Sequence, residues 1–339
     1  MARSRKLIRN LIWKLILPVC LVASILSIAL VADAAQESAA APRRIVSLYP
    51  GHTDNIVALG MGDRLVAVSR SEDPSLWERG QIRELPRLPP KVGAEAVLAL
   101  KPDAVFLRSL TQQMNPHLTE VLERAGVAVH VIDPPSWEGF EEYLTRLAEI
   151  LGTSPEAARQ KLAASRSAIE AAAKARGKSD KSSKSNKKSA PRVFLEATSK
   201  ELHTCAPGSW AARLIELAGG VNAASDASPL RKGSALAPWG VERVLEAAGS
   251  GLDVYLVQQG AMNAATLDEV RGRPWFAALK NRPRLAVAPE SCLSRPSLLG
   301  LEKGGKILVE IFYGSGEPED LGDRRDPPKG HRPRRRAKE

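Results

Sequence analysis

Short β-prone runs alternate along most of the chain with amphipathic stretches of about a dozen residues, the spacing of βαβ units. From residue 43, "RRIVSLYPGHTDNIVALGMGDRLVAVS" reads strand, turn, helix, strand. Ile45 to Leu48 are β-prone, Tyr49, Pro50 and Gly51 stop the run, and Leu65 to Val68 begin a second strand. Thr53 is expected to cap a helix starting near Asp54, whose carboxylate suits the positive end of the helix dipole. A charged, Pro-rich loop over 69–93 precedes "AEAVLALKPDAVFL", a short helix and then a strand at Val105 to Leu107. "MNPHLTEVLERAG" predicts one helix closed by Gly126, "VAVHVID" a strand, and Trp137 to about Leu151 another helix stopped at Gly152.

Pro155 then opens an Ala-rich stretch with few breakers, which predicts a helix of about 20 residues and about 30 Å. The lysine- and serine-rich segment after it offers nothing apolar before Ala190 and reads as a solvated linker. After Pro191 the pattern restarts. "VERVLEAAGSGLDVYLV" repeats the earlier unit, with Glu242 standing 147 residues after Glu95. A terminal helix, "LLGLEKGGKILVEIFYG", follows. The fold expected is α/β, with two Rossmann-like lobes of mostly parallel sheet joined by a long rigid helix. Its parts are a signal peptide (1–34), a leader (35–42), an N-terminal lobe (43–153), a connecting helix (154–177), a linker (178–190), a C-terminal lobe (191–320) and a basic tail (321–339).

The 339-residue chain carries a formal charge of +11. Residues 1–34, 174–189 and 323–339 hold more than all of it, which leaves the rest at −4. The positive charge therefore sits on appendages, and a nucleic-acid binder, which needs a basic folded face, is not expected. Residues 1–34 join basic residues to an apolar run and an A-x-A site at Ala32 and Ala34, the design of a secretory signal. An uncleaved anchor helix is the competing reading, and either places the body outside the cytoplasm, in the periplasm. Cys205 and Cys292 remain after cleavage, and an even count in an oxidising compartment permits a disulfide between them, two buried thiols being the alternative.

Ligands of open parallel sheets bind outside the carboxyl ends of the strands. The loops there, between two lobes, carry Arg70, Arg108, Arg231, Lys232 and Arg295, whose charges suit carboxylate or phosphate oxygens. They also carry Tyr49, Trp137 and Trp239, which suit a flat ring system, and His52 and His203, possible ligands of haem iron or plain hydrogen-bonding groups. There is no dinucleotide fingerprint, nucleophile elbow, H-E-x-x-H or paired CxxC, and no catalytic residue, resident metal or cofactor is expected.

"VGAEAVLALKPDAVFL", "LIELAGGVNA", "PWGVERVL" and "SRPS", with the stretch from residue 43, resemble the ABC-transporter solute-binding family for iron chelates, haem and cobalamin. The likeness covers about residues 43–313. It implies capture of a small-molecule metal chelate between the lobes, ferric siderophore first and cobalamin or haem next, by a monomer that delivers it to an ABC permease dimer. It also implies that Glu95 and Glu242 dock to arginines of that permease. "PW" at 238–239 resembles a segment that supplies an aromatic wall in cobalamin binders. Asp54 stands where many relatives have Glu, and the second "KPD" is replaced by "GSGLD". An exported α/β enzyme acting on a corrinoid or chelate is the alternative.

Overall fold

The N-terminal lobe is a parallel sheet with order β3-β2-β1-β4-β5, built from β1 (Ile45–Ser47), β2 (Leu65–Ser69), β3 (Arg87–Leu88), β4 (Ala104–Leu107) and β5 (Ala128–Val131). Strands β1, β2 and β4 are buried at every position, which is why they read as continuous apolar runs. The computed structural model describes residues 41–73, 77, 84–179 and 190–314. The signal peptide, nearly all of the leader and of the linker, and the basic tail lie outside the described residues.

Between the strands run α1 (Pro50–Ala58), α2 (Ala94–Leu98), α3 (Ser109–Met114), α4 (Leu118–Arg124) and α5 (Phe140–Ile150). Helix α1 begins earlier than its capping pattern implied: Tyr49 is the N-cap without a side-chain cap bond, and Pro50 takes the first turn, where a missing N–H is harmless. Thr53 instead places its hydroxyl 2.7 Å from both Glu72 and Ser47, and its single proton serves one of them at a time. The helix expected over "MNPHLTEVLERAG" starts only at Leu118, because Asn115, the residue before Pro116, is forced out of helical geometry, and the loop expected just before it is the separate helix α3.

The connector α6 (Pro155–Ser179) has 25 residues, about 38 Å at the usual rise. Ala158, Leu162, Ile169 and Ala173 form its buried stripe and meet α5 and the C-terminal α12 (Leu298–Tyr313). Gly305 of α12 faces Ile169, and any β-carbon there would collide with that side chain.

The C-terminal lobe repeats the plan with β6 (Arg192–Glu196), β8 (Val221–Asn222), β10 (Val254–Gln259) and β11 (Arg284–Pro289) in the parallel order β11-β10-β6-β8. Its helices are α7 (Trp210–Leu217), α8 (Val241–Gly249), α9 (Leu267–Gly272), α10 (Pro274–Ala277) and α11 (Glu290–Leu293). A two-residue antiparallel ribbon, β7 (Thr204–Cys205) with β9 (Leu236–Ala237), was not foreseen.

The repeat has a structural use. Asp103, after α2, accepts the backbone N–H of Arg44 at 3.0 Å, and Asp253, after α8, accepts that of Arg192 at 2.7 Å. Each carboxylate ties the entry of its lobe's first strand to the next parallel strand. One apolar cluster spans both lobes, including Ile56, Leu144, Ile169, Leu195 and Leu301. Among the described residues no helix is long and apolar enough to cross a membrane.

Candidate functional site

The order of the first sheet reverses between β1 and β4, and crevices at such reversals hold ligands. Tyr49 leaves β1 and Arg108 leaves β4 at that point, with the Arg108 guanidinium 5.0 Å from the centre of the Tyr49 ring. Both are half-buried.

Contacts across the lobes show which ends face each other. Asn55 of α1 donates to the carbonyl of Pro296 at 3.1 Å and accepts from the N–H of Leu298 at 2.9 Å. Ser291, just past β11, donates to Asp73, just past β2, at 2.6 Å. Arg295 pairs with the fully buried Asp54 at 3.3 Å. The carboxyl ends of both sheets thus meet, and polar side chains join them directly. Past the strand ends Arg70, Leu110 of α3 and Met262 are exposed.

Burial decides the charge state of the junction. It raises Asp54 to about 6, with Arg295 and the Trp77 indole N–H at 3.2 Å pulling the other way. Glu72 rises to about 8, first from burial and then from the charge of Asp54. One Glu72 oxygen accepts from Thr53, and the other is buried without a partner. At neutral pH the Asp54–Arg295 pair is ionised and Glu72 is protonated.

The second sheet reverses between β6 and β10. There the fully buried Glu196 receives both Arg273 nitrogens, at 2.6 and 2.9 Å, the Tyr255 hydroxyl, and Asn263 at 3.1 Å. That crevice is filled by a satisfied network.

The loop residues divide accordingly. Tyr49, Arg108 and Arg295 come together at the junction; Arg70 is exposed, as are Arg231 and Lys232 on another loop. His52 does not belong with them. It is fully buried, with Tyr143 at 2.8 Å and the Ile132 carbonyl at 3.0 Å on its two ring nitrogens, and burial lowers it to about 4. Trp137 packs on Trp210 with centroids 4.8 Å apart and carries Arg166 on its ring, so it braces the lobes near α6. Trp239 is 8% exposed in the outer core of the C-terminal lobe, capped by Arg243 at 3.5 Å, and offers no wall to the gap. His203 lies on the tight turn after β6, 3.4 Å from Glu201. The expected disulfide is not formed. Cys205 and Cys292 are free thiols in the shared apolar cluster, where burial pushes each up to about 12, and they pack as small hydrophobes. Glu95 and Glu242 are both exposed in the first turns of α2 and α8.

Glu72, Asp73 and Trp77 escaped the sequence reading because the charged loop that holds them has no periodicity. Among the described residues, no group of three or more His, Cys, Asp or Glu side chains is placed to hold a metal ion.

Residues 45–284 match the family model described as "Periplasmic binding protein", and the chain belongs to that family. It is 26% identical over 189 residues to a vitamin B12-binding protein of Vibrio campbellii, a match over 55% of this chain and 62% of that protein, less than two thirds of its length. Among solved structures it resembles the haem-binding protein RhuT of Roseiflexus sp. RS-1 (TM-score 0.57, 25% identity, 79% of this chain and 98% of that one). It also resembles a periplasmic haem-binding protein of Pseudomonas aeruginosa (TM-score 0.59, 24% identity, 82% and 95%), which shows the two-lobed fold.

Proposed function

We propose that the chain is exported to the periplasm, captures a metal chelate where the carboxyl ends of its two sheets meet, and hands it to an ABC importer. The observation that carries this is the pairing of the half-buried Tyr49 and Arg108 at the strand-order reversal of the first sheet. An aromatic ring with a guanidinium over it suits a ligand that has both an apolar ring system and peripheral acidic or amide groups. Arg70 and the exposed Met262 and Leu110 extend that contact surface along the same strand ends.

The relatives move cobalamin and haem ahead of the ferric siderophores that the arginines first suggested. With His52 committed to Tyr143 and Ile132, direct ligation of haem iron falls to other groups, and cobalamin is the first ligand to test. Glu95 and Glu242, on equivalent helices of the two lobes, are the docking carboxylates for a two-fold permease, and exposed ion pairs of this kind orient more than they hold. The protein acts as a monomer.

The test titrates the mature protein with cobalamin, haem and ferric siderophores, following intrinsic tryptophan fluorescence. Saturable binding of cobalamin is expected, and no saturable response to any of them contradicts the reading. Replacing Glu95 and Glu242 together by Ala is expected to lower importer-dependent uptake without changing ligand affinity.

A further inference from the structure

Beside Glu242 the C-terminal lobe has a cavity of about 230 Å³. Its floor is Leu202, Val241 and Trp275, and Ser199 and Glu201 stand at its edge. Gly240, the N-cap of α8, completes the wall, and the Glu242 carboxylate lies against it. The volume is below the roughly 300–1,000 Å³ of pockets that enclose small-molecule ligands. It suits one large side chain.

Two features show that the cavity is built. Glu201 and Leu202 hold φ of 61° and 44°, a left-handed pair without glycine, which sets Leu202 into the floor. Such backbone persists only where surrounding structure fixes it, and it gathers at functional sites. The cation in the wall, Arg273, is already matched by Glu196 beneath it. The remaining charge in the lining is that of Glu201, 3.4 Å from the His203 imidazole, with the exposed Glu242 carboxylate against the wall at Gly240 and the exposed Lys200 next to Glu201 in the chain.

We propose that this cavity receives a basic side chain, arginine or lysine, from the membrane partner that docks at Glu242. The stem lies on Leu202, Val241 and Trp275, and the charged head meets Glu201 and Glu242. Apolar floor and acidic rim fit the two halves of such a side chain. The inference rests on the docking reading and deepens it: the C-terminal lobe grips where an exposed ion pair alone only orients.

The full mature protein is titrated with Nα-acetyl-arginine amide, following by NMR the Trp275 indole, assigned with Trp275→Phe, and the Val241 amide. A saturable shift is expected, with the neutral norleucine amide about tenfold weaker and the glutamate amide weaker still. Equal binding of norleucine amide, preference for the glutamate amide, or no shift with any probe overturns the proposal. Ser199→Trp, which fills the mouth and keeps Glu242, is then compared with Glu242→Ala in uptake. Loss in both variants, with chelate affinity unchanged, is the expected result. If Glu242→Ala lowers uptake and Ser199→Trp does not, the cavity has no docking role although docking stands. If Glu242→Ala has no effect, the docking reading itself fails. Weakened chelate binding by Ser199→Trp assigns the cavity to the ligand gap and also overturns the proposal.

Discussion

The two lobes share one topology and use its most valuable position differently. At the reversal between β1 and β4, Tyr49 and Arg108 stand half-buried at the mouth of the gap. At the reversal between β6 and β10, Glu196 is buried under Arg273, Tyr255 and Asn263, and these side chains are paired with one another. Under the proposed capture, the same fold offers a place for a guest in one half and holds an internal brace in the other. A duplicated architecture does not imply duplicated chemistry.

The largest effect is expected at the brace. Glu196→Ala leaves the Arg273 guanidinium without its buried partner and is expected to destabilise the protein by about 3–5 kcal/mol in urea unfolding. A loss below about 1 kcal/mol would show that the network is not the brace described.

A pH titration sharpens the contrast, because the N-terminal junction holds one acid, Glu72, that burial keeps protonated at neutral pH. Glu72 rises from 4.5 to about 8, so the folded state binds more protons than the unfolded one across that span. Its share of stability is complete below pH 4.5 and is lost as pH rises through 8. His52, lowered from 6.5 to about 4, acts in the opposite sense and removes stability as pH falls below 6.5. Unfolding free energy is therefore expected to fall from pH 6.5 to 8.5, with Glu72→Gln flattening the slope. A rise over that range contradicts the assigned burial of Glu72.

The smallest effect on the fold, and the most telling for function, is at the open reversal. Arg108→Ala, at a half-buried side chain, is expected to change stability by no more than about 1 kcal/mol. Chelate affinity should fall about tenfold, or about 1.4 kcal/mol.

Much of this was legible in the sequence. Apolar runs marked the buried parallel strands, Gly126 and Gly152 marked helix ends, and the repeated helix–Asp–strand unit marked two lobes, with Asp103 and Asp253 doing the same job in each. The direction in which loop side chains point was not legible. His52 and Trp239 sit where a binding residue was expected, yet both turn into the core, because α1 is buried along its whole length and Arg243 covers the indole. The ribbon of β7 and β9 joins residues about thirty positions apart through two pairs, too few to leave a period-two pattern. Glu72 and Trp77 take their roles from a contact with α1 that no local pattern encodes.

The most direct test of capture between facing strand ends is hydrogen exchange of the mature protein with and without saturating cobalamin. Protection is expected together in the segments after β1 and β4, around Tyr49 and Arg108, and after β10, around Met262, with the Glu196 network already slow in both states. Bound cobalamin that protects only one lobe, or protects neither set of strand-end loops, contradicts it.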